Sequence, residues 1–307
     1  MRAILKLAAA GLVLGGAGFL AITWPQTIPA ASLPPRQTDL SNGATLFHIG
    51  GCASCHATDY KADPLSLGGG HALKTGFGTF IAPNISPDPK TGIGAWSEAE
   101  FATAMIKGVG RHGEHLYPAF PYTSYQRMKI GDVRDMFAYM RTLPAVERPN
   151  APHQLGFPFN IRRTLGVWKL LFVDGQPFAP NPAQGAVLNR GAYLVEGPGH
   201  CAECHSSRNL LGAITTQGRM AGGPNAEGKG FVPNISQHPV DGLSDWSVHD
   251  FELLLLNGGT PAGAYVADEM ADVVKNTAKA SAEDRRAMAE YLKTLPPRAG
   301  RRAAPGG

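Results

Sequence analysis

Apolar residues recur at helical spacing in four segments of the chain. Two helices are predicted at Glu98 to Lys107 and Val248 to Leu256, and each follows a serine with an acid three residues later, the pattern of a helix N-cap. Two further helices are predicted at about Asp132 to Thr142 and Ala282 to Thr294, with apolar faces that carry Val133, Met136, Phe137 and Met140, or Met288, Tyr291 and Leu292. No stretch alternates convincingly between apolar and polar residues, so the expected fold class is all-α with long loops.

The N-terminus carries one long apolar segment. Arg2 and Lys6 precede an uncharged, mostly apolar stretch from Leu7 to Trp24, which is typical of an export signal. The stretch is longer than an ordinary signal core and barely long enough to span a bilayer. A candidate cleavage site ends at Ala30. We expect residues 1–30 to be a signal or anchor, retained rather than cleaved, with the rest of the chain outside the cytoplasm.

The two halves of the chain repeat each other. "APNISPDPKTGIGAWSEAEF" begins at Ala82 and "VPNISQHPVDGLSDWSVHDF" at Val232, and the halves end on "MFAYMRTLP" and "MAEYLKTLP". Self-similarity of this kind indicates an internal duplication. We therefore expect repeat domains at 38–146 and 187–297, a connector at 147–186 and a disordered tail at 298–307.

The connector is too apolar to be a free tether. Ile161 to Phe172 is predicted to form one amphipathic helix, with an apolar face that carries Leu165, Trp168, Leu171 and Phe172. We expect this face to pack against the two repeat domains, in preference to lying on a membrane.

All four cysteines fall in two C-x-x-C-H runs, Cys52-Ala53-Ser54-Cys55-His56 and Cys201-Ala202-Glu203-Cys204-His205. This run is the attachment signal for c-type haem, because two thiols three residues apart reach the porphyrin while the adjacent imidazole meets the iron. The sequence thus predicts two covalent haem c groups, bound by Cys52, Cys55, Cys201 and Cys204 and ligated by His56 and His205.

Other uses of these cysteines explain less of the pattern. A dithiol redox pair leaves the trailing histidine unexplained twice, and a shared four-cysteine zinc site would need a very long loop between its halves. Haem is also consistent with the export signal, since c-type haem is attached outside the cytoplasmic membrane.

The charge and composition of the chain bear on which macromolecules it could bind. The formal charge of +4 is mildly basic, and there are no long basic runs with interleaved aromatic residues, so nucleic acid is an unlikely partner.

The sixth iron ligand distinguishes an electron carrier from a catalyst, because methionine there gives a six-coordinate iron suited to electron transfer. In the first half, Met128 stands in a loop before the closing helix, whereas Met105, Met136 and Met140 lie within predicted helices. His115 is the main rival. We expect Met128 to be the ligand.

In the second half three methionines compete. Met288 corresponds to Met136 and is expected in the core, and Met220 lies in a glycine-rich loop close to His205. Met270 again precedes the closing helix, so we expect it to be the ligand.

Four further residues sit at matched positions near the motifs. Pro83 and Pro233 could each offer a backbone carbonyl to the Nδ1 proton of a ligand histidine, or simply form a turn. Trp96 and Trp246 could pack on haem edges or in the ordinary core.

The motifs together with "PNIS", "YPAFPY", "FPFNIRRTLGVWKLLF", "NRGAYLVEGPGHC" and "MADVVKNT" resemble the multihaem cytochrome c subunit of membrane-bound bacterial alcohol and aldehyde dehydrogenases. The resemblance runs from about Asn42 to Pro296. It implies tandem class I cytochrome c domains on the periplasmic side of the inner membrane and methionine axial ligands, which supports Met128 and Met270. Those subunits commonly carry three haem motifs, and this chain has two.

The resemblance also implies a role. A dehydrogenase catalytic subunit would donate electrons, and quinone, a soluble cytochrome or a terminal oxidase would accept them. The leading expectation is an electron-transfer subunit that is not itself catalytic. The alternative is a dihaem redox enzyme, peroxidase-like, with one open haem, for which His112 and His115 are the only clustered acid/base candidates.

Overall fold

The structure is a computed structural model that describes residues 1–226 and 230–300. In chain order the helices are α1 (Arg2–Ile22), α2 (Leu40–Ile49), α3 (Cys52–His56), α4 (Glu98–Lys107), α5 (Tyr122–Tyr125), α6 (Ile130–Met140), α7 (Leu165–Phe172), α8 (Ala186–Glu196), α9 (Val248–Asn257), α10 (Asp268–Thr277) and α11 (Ala282–Lys293). The strands are β1 (Ala72–Thr75), β2 (Gly78–Ile81), β3 (Gln154–Leu155), β4 (Gly223–Pro224) and β5 (Phe231–Val232).

The expectation of an all-α fold is wrong. β1, β2 and β3 form a three-stranded antiparallel sheet, and β4 pairs with β5 in a second, smaller one. These strands span only two to four residues, which is too short for an alternating pattern to show. β3 lies in the connector and joins β2 from far along the chain, so its pairing is a tertiary contact that local sequence does not encode.

In the first half, α2 and α4 both pack against α6. The predicted start and end of α4 are confirmed: Ser97 accepts a hydrogen bond from the Glu100 backbone N–H while the Glu100 carboxylate accepts one from the Ser97 N–H. Phe101 of α4 stacks on Phe137 of α6, with ring centroids 4.6 Å apart. Helix capping and aromatic packing thus fix these helices around one core.

The second half repeats this arrangement, with α8 and α9 packed against α11. Ser247 and Asp250 form the same capping box at the start of α9. In each half a glycine lies where the first helix crosses the closing helix: α2 crosses α6, and α8 crosses α11. A Cβ atom at Gly43 of α2 would lie 2.1 Å from the Asp135 carbonyl oxygen, and one at Gly191 of α8 would lie 1.9 Å from that of Ala287. Any side chain at either position would push the helix pair apart.

The connector helix is shorter than predicted. Residues Arg162–Thr164 form a 3₁₀ turn, and the α-helix proper is α7. Its inner side faces the two halves: Trp168 donates its indole N–H to the Leu211 carbonyl, 2.8 Å away. Leu171, predicted on the packed face, is instead 64% exposed.

Residues 298–300, the last that the structure describes, also make contacts, although they fall in the expected disordered tail. The Arg298 carbonyl accepts hydrogen bonds from the side chains of Asn234 and Ser236, as the Val146 carbonyl does from Asn84 in the first half. The rest of the expected disordered tail, residues 301–307, lies outside the described residues.

Candidate haem-binding sites

The first C-x-x-C-H motif forms the short helix α3. Gly51 precedes it with φ of 56°, a left-handed conformation that glycine adopts without strain. The second motif forms a 3₁₀ turn over Cys201–Glu203 instead. Both motifs are compact single turns, so in each case the two thiols and the imidazole project from neighbouring positions.

None of the four cysteines is disulfide-bonded. Burial raises the pKa of the Cys52 and Cys201 thiols to about 12. A reactive dithiol needs the opposite shift, because the thiolate is the attacking species. Among the described residues no group of three or more His, Cys, Asp or Glu side chains converges on a metal position.

The two motif histidines have identical backbone partners. Nδ1 of His56 lies 2.8 Å from the Pro83 carbonyl oxygen, and Nδ1 of His205 lies 2.8 Å from that of Pro233. Nδ1–H therefore donates to the carbonyl, which leaves the lone pair of Nε2 for a metal. Burial lowers the pKa of both imidazoles, so both stay neutral. The prolines thus act as carbonyl acceptors, one of the two roles that the sequence left open.

The two candidate axial ligands of the first half, Met128 and His115, lie in different environments. Met128 lies three residues after the end of α5 and is 1% exposed. His115, its rival, has both ring nitrogens engaged elsewhere: Nε2 lies 2.9 Å from the Thr23 carbonyl and Nδ1 lies 3.1 Å from Lys169 Nζ. The described contacts leave His115 no free nitrogen for iron.

In the second half, Met220 proves to be the counterpart of Leu67. The Leu67 carbonyl accepts a hydrogen bond from Ile85 N–H at 3.0 Å, and the Met220 carbonyl accepts one from Ile235 N–H at the same distance. Both side chains are buried in the core. Met270 is half-buried in the first turn of α10, which precedes the closing helix α11.

The matched tryptophans pack partly buried against the apolar core, and Trp246 contacts Phe251 with ring centroids 5.3 Å apart.

The donor sets fit c-type haem. Each offers two thiols that are three residues apart and not joined in a disulfide, and one neutral imidazole whose Nδ1 is already bound to a carbonyl. Bound there, haem would supply a one-electron iron couple, and the residues of the chain would fix its orientation and environment.

Sequence comparisons agree with this chemistry. The profile of the cytochrome c family matches residues 40–144. A protein of Cereibacter sphaeroides named "Diheme cytochrome c-type" is 44% identical over 298 residues, which cover 96% of this chain and 99% of that protein. The chain belongs to the c-type cytochromes.

Other relatives are subunits of dehydrogenases. The cytochrome c subunit of gluconate 2-dehydrogenase of Pantoea cypripedii is 33% identical over 92% of this cytochrome and 64% of its own length. The cytochrome c subunit of alcohol dehydrogenase (quinone) of Gluconobacter oxydans is 33% identical over 84% of this cytochrome and 55% of its own length. The cytochrome thus spans roughly half to two thirds of these subunits.

In the cytochrome the two haem motifs contact each other across the halves. His200, just before the second motif, has Nε2 3.1 Å from the Gly50 carbonyl oxygen, just before the first. Its ring also packs edge-on against Tyr125, with centroids 5.6 Å apart. This contact brings the two attachment sites into one region of the molecule.

Further side chains join each motif to the opposite half. Glu203 of the second motif accepts hydrogen bonds from the hydroxyls of Thr123 and Ser124, and pairs with Arg208 at 2.7 Å. Ser54 of the first motif accepts one from the Asn276 side chain at 3.0 Å. Polar residues at the variable positions of the motifs are the one sequence signal that could have indicated these contacts.

Glu203 carries a buried charge in this interface. Burial opposes its ionisation, but Arg208 and the neighbouring hydroxyls outweigh it and hold the pKa of the carboxyl below its usual value. The interface between the halves therefore contains a satisfied ion pair beside the second motif.

Proposed function

We propose that the cytochrome is an electron-transfer subunit with two covalently attached haem c groups, one in each of two domains, at 38–146 and 187–297. The first haem is bound by Cys52 and Cys55 and the second by Cys201 and Cys204. The matched pair of histidine-to-proline hydrogen bonds carries the proposal, because it prepares both imidazoles in the same way for iron.

We propose His56 with Met128, and His205 with Met270, as the axial ligand pairs. The engagement of both nitrogens of His115 supports Met128. The place of Met220 as the counterpart of Leu67 supports Met270. With both axial positions filled, each iron would exchange electrons without binding substrate.

The electron donor would be the catalytic subunit of a dehydrogenase, and the acceptor would be quinone, a soluble cytochrome or a terminal oxidase. The dehydrogenase subunits among the relatives support this assignment.

We further propose that α1 is retained as a membrane anchor, with the rest of the chain on the periplasmic side. α1 has 21 residues, a mean hydropathy of 1.9 and no buried side chain, so it is long and apolar enough to span a bilayer. The residue after it is part of the folded body. Thr23 is 1% exposed, and its hydroxyl accepts a hydrogen bond from Arg163 at 2.8 Å. Cleavage after Ala30 would remove this contact and leave His115 without its carbonyl partner.

Ligand binding by the unmodified protein tests the electron-transfer proposal. If both haems are six-coordinate, the absorption spectrum of the reduced protein will not change with carbon monoxide, and that of the oxidised protein will not change with peroxide. A response of either haem would instead show an open coordination site and favour the peroxidase-like alternative. The intact mass of protein extracted from membranes tests the anchor separately, because a chain that begins near Ala31 would contradict it.

A further inference from the structure

Large apolar side chains are concentrated on one face of the molecule. Fourteen large hydrophobic residues of the described chain beyond α1 are exposed, and eight of them belong to this face, which we call the apolar belt: Trp24, Phe157, Phe159, Ile161, Leu170, Leu171, Leu210 and Leu211. Leu210 is 97% and Phe157 81% exposed. Scattered apolar residues are normal on a protein surface, but a contiguous set of this size marks a contact surface.

Contacts show that the belt is continuous although its residues come from three parts of the chain. The Phe159 ring packs on Phe77 with centroids 5.0 Å apart. Phe77 in turn lies against Gly212, where an added Cβ would meet the ring at 3.1 Å. Leu211, the residue before Gly212, accepts a hydrogen bond from the indole of Trp168 in α7 through its carbonyl. The segments around Phe159, Leu211 and α7 therefore lie side by side.

The polar contacts of α7 keep Leu170 and Leu171 on the outside. Lys169 Nζ donates to the carbonyl oxygens of Lys107 and Gly108, 2.8 and 2.5 Å away, at the C-terminal end of α4. A half-buried lysine held this way fixes the helix orientation, because both bonds go to carbonyls that the end of α4 leaves without a helical partner. α7 cannot turn its leucines inward without breaking them.

The belt adjoins the end of the proposed anchor. Arg163, two residues after Ile161, donates to the Leu20 carbonyl in the last turn of α1 at 2.6 Å and to the Thr23 hydroxyl. Its guanidinium also lies 5.4 Å from the centre of the Trp24 ring. Hydrogen bonds from Arg163, and not a flexible linker, thus attach the belt to the end of α1.

We propose that the apolar belt rests on the outer surface of the bilayer in which α1 is anchored, with its leucines and phenylalanines at the level of the lipid headgroups. Continuity with α1 favours lipid over protein as the occupant, since the helix must end at this surface and Trp24 is of the type enriched there. This inference rests on the proposed retention of α1. It implies that the cytochrome has one fixed orientation on the membrane.

Site-specific photo-cross-linking tests the belt in the full-length protein in its native membrane. The photoreactive amino acid p-benzoylphenylalanine would replace Leu171 or Leu210, and matched controls would carry it at Val240 or Tyr265, which are 67% and 73% exposed in loops that flank α9. Unchanged haem spectra would show that each variant is folded. We expect lipid adducts, measured by mass spectrometry, to be at least fivefold more abundant at the belt positions than at the controls.

The outcomes separate this inference from the anchor proposal. Equal lipid labelling at all four positions, or protein adducts in place of lipid at Leu171 and Leu210, would overturn the proposal that the belt contacts lipid, even if the intact mass shows that α1 is retained. A chain that begins near Ala31 would contradict the anchor. In that chain, lipid adducts at the belt would still support this surface, and their absence would overturn it.

Discussion

Replacement of Met128 by alanine should open the first haem while leaving the second unchanged. The side chain is 1% exposed, so its loss costs stability whether or not it binds iron, about 2–5 kcal/mol for a buried methionine. Stability alone therefore cannot identify the ligand. Met136 provides the matched control, because it is equally buried, at 1%, but lies on the core side of α6. Met136→Ala should cost a similar amount and leave both irons six-coordinate.

The assay combines unfolding in guanidinium chloride with absorption spectra. Met128→Ala should lose the far-red methionine-to-iron band of one haem and bind carbon monoxide at one site per molecule, whereas Met136→Ala should do neither. In the second half, Met270→Ala should behave like Met128→Ala, and Met220→Ala, which replaces a side chain only 2% exposed, should only destabilise. The ligand assignment is refuted if Met128→Ala stays closed to carbon monoxide, or if Met136→Ala opens.

Two further predictions test the contacts between the two halves and the contacts of the connector helix α7. Glu203→Ala should destabilise the haem-loaded protein by about 1–3 kcal/mol, because it leaves the hydroxyls of Thr123 and Ser124 without their acceptor. Glu147→Ala, at an exposed site, should cost under about 0.5 kcal/mol, and an equally small loss for Glu203→Ala would contradict the role of Glu203 in this interface. Burial lowers the pKa of Lys169 to about 7. Between about pH 7 and pH 10 the unfolded chain binds more protons at Lys169 than the folded chain does. The free energy of unfolding of the unmodified protein should therefore rise with pH, relative to that of Lys169→Met, by up to about 1.4 kcal/mol per pH unit. A difference between the two proteins that stays constant with pH would show that the hydrogen bonds of Lys169 keep its ammonium group charged.

The sequence determined the local features of this cytochrome. The C-x-x-C-H runs fix the attachment chemistry, because thiol and imidazole spacing within one turn needs no distant partner. The capping boxes at Ser97 and Ser247 likewise set the starts of α4 and α9, since each involves residues only three apart. The duplication was visible because both halves keep the same order of these short motifs.

Tertiary structure decided what depends on residues that are distant along the chain. β3 becomes a strand only because β2 lies beside it, and this pairing leaves no periodic pattern in either segment. Met220 and Met270 could be ranked by position, but only the hydrogen bonds of Met220 show it to be the counterpart of Leu67. The contact of Glu203 with Thr123 joins opposite halves across the interface. The sequence carries the side chains for such contacts, while the packing of the two halves chooses which of them meet.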